Sequence, residues 1–131
     1  MPRRAGGARQ AMAAKGEELL EAAAFGDLDG LDRLLREGAG VGSVDGRGWT
    51  ALHWACSNGQ DRVAARLLAE GADVNATDKY LSTPLMFAAG NGHLGAVKLL
   101  LEAGADAARK DEIGNTASDW AKHNNHPAVV E

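Results

Sequence analysis

The sequence predicts an all-α solenoid of stacked helix–turn–helix units, and three observations predict it. The first is an internal period of 33 residues. Asp45, Thr50, Leu52, Ala55, Gly59, Leu67, Leu68 and Gly71 recur one period later as Asp78, Thr83, Leu85, Ala88, Gly92, Leu100, Leu101 and Gly104. Ala22, Gly26, Leu34, Leu35 and Gly38 hold the same register upstream, and Asp111, Thr116 and Ala121 hold it downstream. A period of this length marks units too small to bury an apolar face alone, which must stack to make a core. The second observation is helical spacing of apolar residues inside each period, as at Leu31, Leu34 and Leu35. The third is composition. Apolar residues make up 45% of the chain but aromatic ones only 5%, so alanine and leucine must do most of the packing.

Residues 1–16 carry Arg3, Arg4, Arg9 and Lys15 and no acid, and are expected to form a disordered, solvated basic tail. A repeat domain follows over 17–131. Its first unit, 17–45, is atypical: a helix over Glu17–Ala24, a break at Gly26, and a second helix over about Leu28–Glu37 closed by Gly38. The second unit (46–78) and the third (79–111) are complete. The fourth (112–131) is truncated, its second helix barely begun. The second-helix stripe reads Ala64, Leu67, Leu68, then Val97, Leu100, Leu101, then Val130.

The repeated residues have physical tasks. Thr50, Thr83 and Thr116 sit where a hydroxyl caps the first helix of a unit. Pro84 falls at the first helical position, where a missing N–H costs nothing. Asn125 stands in the fourth unit where Gly59 and Gly92 turn one helix into the next. Asp45, Asp78 and Asp111 are placed to accept hydrogen bonds from their own loops.

The stretches TALHWACSNGQ and TPLMFAAGNGH, with VAARLLAEGADVNATD and AVKLLLEAGADAARKD, resemble the ankyrin repeat. The resemblance spans about Glu17 to Glu131. It implies an ankyrin-repeat solenoid with projecting β-hairpin loops, acting without catalysis as a protein-binding scaffold through hairpin tips and a concave first-helix face. Several residues depart from the pattern. Gly40 and Gly42 loosen the first hairpin, Leu81 replaces the family's hairpin glycine, and Met86 and Ser118–Asp119 replace the Leu–His pattern. Asn75 resembles the hairpin asparagine hydroxylated by a 2-oxoglutarate-dependent oxygenase, which makes the chain a substrate at that position.

Loop tips carry the candidate contact residues. Between frame residues lie Gly46–Trp49, Lys79–Ser82 and Glu112–Asn115, and these do not repeat. Variation inside a constant frame is the pattern of adjustable contact positions. Trp49, Tyr80, Leu81 and Ile113 are expected to be exposed as one apolar patch with Arg47 and Lys79 beside it; Ser82, Glu112 and Asn115 complete the tips. Tryptophan, tyrosine and arginine dominate interface energetics. Ser57, Asn58, Gly90, Asn91, His123 and Asn124 at first-helix ends are further candidates. Trp54, Phe87 and Trp120 recur one period apart and read as packing between neighbouring first helices.

Other chemistries are weakly signalled. His53 and Cys56 lie three apart on one helix, and a thiol hydrolase built on them is the rival enzyme reading. A nucleophile needs a base, an orienting group and an oxyanion site, and the sequence supplies no further member. The histidines lack paired metal-ligand spacing, so no metal or cofactor is expected. A net charge of −4, from eighteen acids against fourteen Lys and Arg, argues against nucleic-acid binding. No run approaches the ~18–20 apolar residues of a membrane span. A single cysteine, Cys56, fits a reducing interior, cytoplasmic or nuclear. The reading is therefore a monomeric module for another protein. Because Glu131 falls inside a helix, a recognition fragment of a longer multidomain chain is the alternative.

Overall fold

Three threonines set where the inner helices begin. The hydroxyls of Thr50, Thr83 and Thr116 accept the backbone N–H of His53, Met86 and Asp119. Each of those residues returns an acceptor to the threonine's own N–H: His53 Nδ1 at 3.1 Å, Met86 Sδ at 3.4 Å and Asp119 Oδ2 at 2.9 Å. Two otherwise orphaned donors are satisfied at each helix start by this reciprocal arrangement. The third station is filled by an imidazole, a thioether and a carboxylate, so the departures from the repeat pattern at Met86 and Asp119 keep the cap.

The computed structural model describes the backbone of residues 3–124 and side chains from residue 14 onward. Seven helices occur among these residues: α1 (Arg3–Phe25), α2 (Leu28–Arg36), α3 (Ala51–Ser57), α4 (Asp61–Ala69), α5 (Pro84–Gly90), α6 (Leu94–Glu102) and α7 (Ala117–His123). They pair as α1/α2, α3/α4 and α5/α6. The first helices stack as α1, α3, α5, α7 and the second as α2, α4, α6. The expectations at Asn125 and Val130 lie outside the described residues.

One boundary differs from the sequence reading. α1 begins at Arg3, inside the basic segment 1–16 expected to be a solvated tail. The stretch Ala8–Lys15 is built from alanine, arginine, glutamine, methionine and lysine, all good helix formers, and no proline lies between Pro2 and Pro84. Lys15 Nζ also donates to the Glu37 carbonyl at 3.3 Å, tying α1 to the end of α2.

A single core runs through the stack. Leu19, Leu31, Leu34, Leu52, Leu67, Met86 and Leu100 are its largest fully buried members, with small alanines between them. Alanines at Ala23, Ala55, Ala64, Ala88, Ala96 and Ala121 are buried too, which lets neighbouring helices approach closely. The outer layer adds an ion pair from Arg66 Nε to Asp32 Oδ1 at 2.7 Å, bridging α4 and α2. Such a pair at the surface contributes below about 1 kcal/mol, so burial dominates.

The interunit loops are tight turns where the family resemblance implied hairpins. Among the described residues there is no strand, and Val44 with Thr50 forms one isolated antiparallel bridge. At each tip the aspartate N–H donates to a carbonyl four residues on: Asp45 to Trp49, Asp78 to Ser82, Asp111 to Asn115. Neighbouring tips are joined directly. Lys79 N–H donates to the Arg47 carbonyl at 3.1 Å, and Glu112 N–H to the Tyr80 carbonyl at 2.9 Å.

Among the described first helices α7 buries the fewest residues. α7 buries only Ala117 and Ala121, whereas α3 buries five residues including His53. Amide hydrogen exchange is expected to be faster across α7 than across α3 and α5, with opening that starts at the C-terminal unit. Equal protection of all three helices would contradict this.

Burial also makes the fold pH-sensitive through His53. Its Nε2 faces the Ser82 carbonyl at 3.0 Å and must carry the proton, so Nδ1 is the acceptor for Thr50 N–H. Desolvation, opposed by the Ser82 carbonyl and by Asp78 and Asp45, holds the imidazole pKa below its ordinary 6.5. The unfolded chain therefore binds a proton first as pH falls, and the stability present above 6.5 declines below it, down through the folded-state value. Urea midpoints measured from neutral pH downward should fall in this window, and His53→Gln should flatten that slope while lowering the midpoint overall.

Candidate partner-binding surface

Each loop tip is organised by one carboxylate. Oδ1 of Asp45 accepts the N–H groups of Arg47 and Trp49, that of Asp78 accepts Tyr80 and Ser82, and that of Asp111 accepts Ile113 and Asn115. All six bonds lie between 2.8 and 3.1 Å. The expectation that these aspartates bind their own loops holds. Oδ2 has a second task, accepting an indole N–H. Trp54 reaches Asp45 and Trp120 reaches Asp111, each at 3.0 Å.

Phe87 occupies that aromatic position in the third unit and has no N–H to give. Trp49 supplies it from the neighbouring tip, donating to Asp78 Oδ2 at 3.0 Å. This corrects the expectation of an outward Trp49. Its ring lies 4.4 Å from Phe87 and 4.9 Å from Trp54, completing an aromatic row that ends with Trp120, 5.3 Å beyond Phe87. The row is packing, as the helical spacing suggested. Arg47 covers it, its guanidinium 4.0 Å over Trp49 and 5.0 Å over Trp54. Burial works against ionisation of Asp45, but the Arg47 and Trp49 amides, the Trp54 indole and the Arg47 charge together hold its carboxyl below its usual value.

Ser82 is likewise turned inward. It is buried, its N–H bound to Asp78 and its carbonyl to His53. Tyr80, Leu81 and Ile113 do face solvent, at 59, 51 and 81% exposure, with Lys79 and Glu112 exposed beside them. Asn115 is half-buried. A shallow groove of about 340 Å³ opens between these tips and the aromatic row, bounded by Arg47, Tyr80, Phe87, Ile113 and Trp120.

Leu81 is the one non-glycine residue with positive φ among the described residues, at 62°. The same register position is Gly48 at 83° and Gly114 at 90°. A left-handed leucine is strained by roughly 1–2 kcal/mol. Half of its surface remains in water, so packing does not offset that strain.

The first-helix ends serve the stack. Asn58 Nδ2 donates to the Ala24 carbonyl and Asn91 Nδ2 to the Ser57 carbonyl, each at 2.9 Å, binding the second unit to the first and the third to the second. Asn75 is a strut of the same kind, its Oδ1 accepting the Asp106 N–H at 2.8 Å. Gly90 is buried beneath Trp120, where a Cβ would meet the ring at 2.9 Å. His123 and Asn124 are exposed. Cys56 is fully buried and its thiol is pushed up to about 12 by desolvation, with Asp61 adding to the effect. A neutral, inaccessible thiol is no nucleophile. Among the described residues no three His, Cys, Asp or Glu side chains converge to hold a metal, and no helix is long and apolar enough to cross a membrane.

One exposed apolar site escaped sequence reasoning. Phe25 and Val44 flank a second groove beside Trp54. Aligning Phe25 with Asn58 and Asn91 would have flagged it.

The stacked pairs, the capped inner helices and the aspartate-headed tips define a helical repeat solenoid. The chain belongs to the ankyrin-repeat family, whose model, ankyrin repeats in three copies, matches residues 19–111. It is 45% identical over 50 residues to ankyrin repeat domain-containing protein 40 of mouse and of human, covering 37% of this chain and 14% of each relative. It is 47% identical over 45 residues to the protein Vapyrin-like of Medicago truncatula, covering 34% of this chain and 10% of that protein. The aligned stretches are thus a small part of much longer relatives.

The inward Trp49 has a measurable consequence. Trp49→Phe keeps an aromatic ring but removes the only indole serving Asp78, and is expected to lower stability by about 1.5–3 kcal/mol, the worth of a hydrogen bond to a charged group. Chemical denaturation measures it; an unchanged midpoint would mean the indole bond contributes nothing.

Proposed function

We propose that this chain is a non-catalytic adaptor, scaffold or inhibitor that holds a partner protein through its loop tips and aromatic first-helix face. Ankyrin repeats in general mediate protein–protein interaction. The observation that carries the reading is Leu81, strained and half-exposed between Tyr80 and Ile113. Strain that no packing compensates, at an exposed tip, is characteristic of contact positions. Tyr80, Leu81 and Ile113 form the apolar centre of the contact, Lys79, Glu112 and Arg47 its charged rim. Ser57, Asn58 and Asn91 contribute only their exposed edges, since their polar groups are engaged within the stack. The chain acts as a monomer in a reducing compartment, cytoplasmic or nuclear.

Two substitutions test this. Tyr80→Ala should weaken the partner complex by about 2 kcal/mol, some thirtyfold, with the helical circular dichroism intact. Leu81→Gly should separate stability from binding. Relief of strain outweighs the added chain entropy of glycine, so the fold gains on the order of 0.5–1 kcal/mol. Partner affinity nonetheless falls. Affinity purification with wild type against Tyr80→Ala identifies the partner; equal recovery from both overturns the tip reading.

A further inference from the structure

The first unit breaks the repeat at two positions that meet at one groove. Trp54, Phe87 and Trp120 occupy one register position, and the same position in α1 is Glu21. The aromatic row therefore stops at Trp54, with a carboxylate where the next ring would stand. Four residues further on, Asn58, Asn91 and Asn124 share a register position, and Asn58 and Asn91 tie their units to the preceding one. α1 has no preceding unit among the described residues, and Phe25 stands there instead, 82% exposed. A phenylalanine in water gains nothing from the fold.

Between these residues lies a groove of about 520 Å³, mostly apolar, walled by Leu20, Ala24, Phe25, Val44 and Trp54. Glu17, Glu21 and Asp45 rim it, and among the described residues no lysine or arginine lines it. The guanidinium of Arg47 nearby shows which group this edge accepts. Arg47 lies on the ring of Trp54 with its Nη2 3.8 Å from Asp45 Oδ2. Among the described residues, no such cation lies within 4 Å of Glu17 or Glu21.

We propose that this groove is a second docking site, which receives a partner polypeptide segment carrying an arginine next to a large apolar residue. The guanidinium fills the missing rung against Trp54, with Glu21 and Glu17 as its counter-charges, and the apolar neighbour rests on Phe25 and Val44. Arginine fits better than lysine because its planar head stacks on an indole and pairs bidentately with a carboxylate. The three carboxylates that rim the groove, in a chain of net charge −4, favour approach of such a segment. The proposal extends the reading of the chain as an interaction module but does not use the Tyr80–Leu81–Ile113 tips.

A random-peptide library displayed on phage and selected on the full chain tests it. Enriched peptides should carry arginine beside an apolar residue, and synthetic versions should lose affinity when arginine becomes lysine. Glu21→Phe fills the rung and Phe25→Asn restores the residue type of the later units. Each should weaken peptide binding about tenfold or more by calorimetry, while Tyr80→Ala leaves it unchanged. Unaltered circular dichroism and urea midpoints establish that both variants fold. No enrichment, enriched peptides without arginine, or binding that survives both substitutions overturns the proposal. Binding lost with Tyr80→Ala alone overturns it too, and leaves the tip reading standing.

Discussion

The architecture depends on the aspartate at the head of each interunit loop. Asp45, Asp78 and Asp111 each gather two backbone N–H groups with one carboxylate oxygen and an indole N–H with the other. The first oxygen bends the loop into a tight turn; the second ties that turn to an aromatic ring. Helix, turn and aromatic row are thereby held in one geometry. The carboxylate is satisfied in its ionised form, so a group that would be expensive to sequester becomes the joint of the unit. Where a unit lacks its own indole, as at Phe87, the neighbour's Trp49 takes over, and the joint then links two units rather than closing one.

The same economy of small parts explains why two chemically versatile side chains are enclosed. His53 and Cys56 are the residues a chemist would first suspect, yet both are fully enclosed. The histidine spends both ring nitrogens on the cap of its own helix and on the next unit's Ser82. The thiol packs among alanines and leucines as a small apolar group. What faces solvent instead is hydrophobic surface at loop tips and beside α1, which suits recognition.

The first unit shows how repetition and position interact. An inner unit must offer bonding groups on both sides. Among the described residues α1 meets a following unit only, and no partner is present there for the ladder and strut positions. Glu21 and Phe25 occupy them, and their exposure opens a groove beside Trp54. Departure from the repeat is informative there because the bonds that the repeat makes elsewhere are not made.

The period, the pairs of helices, the threonine caps, the glycine turns and the aspartate-headed loops were legible in the chain because each depends on contacts within a few residues. Those contacts are set by local stereochemistry, which a sequence carries openly. Tyr80, Leu81 and Ile113 were found by the same means, as variable residues in an invariant frame. Trp49 and Ser82 were not, because their direction is decided by residues 29 or more positions away: the Asp78 carboxylate that receives the Trp49 indole, and the His53 ring that reaches the Ser82 carbonyl. By itself the sequence determined the unit and its repetition. Only tertiary structure decided which tip residues turn inward, since a side chain's choice between water and a neighbouring unit depends on what that neighbour leaves unsatisfied.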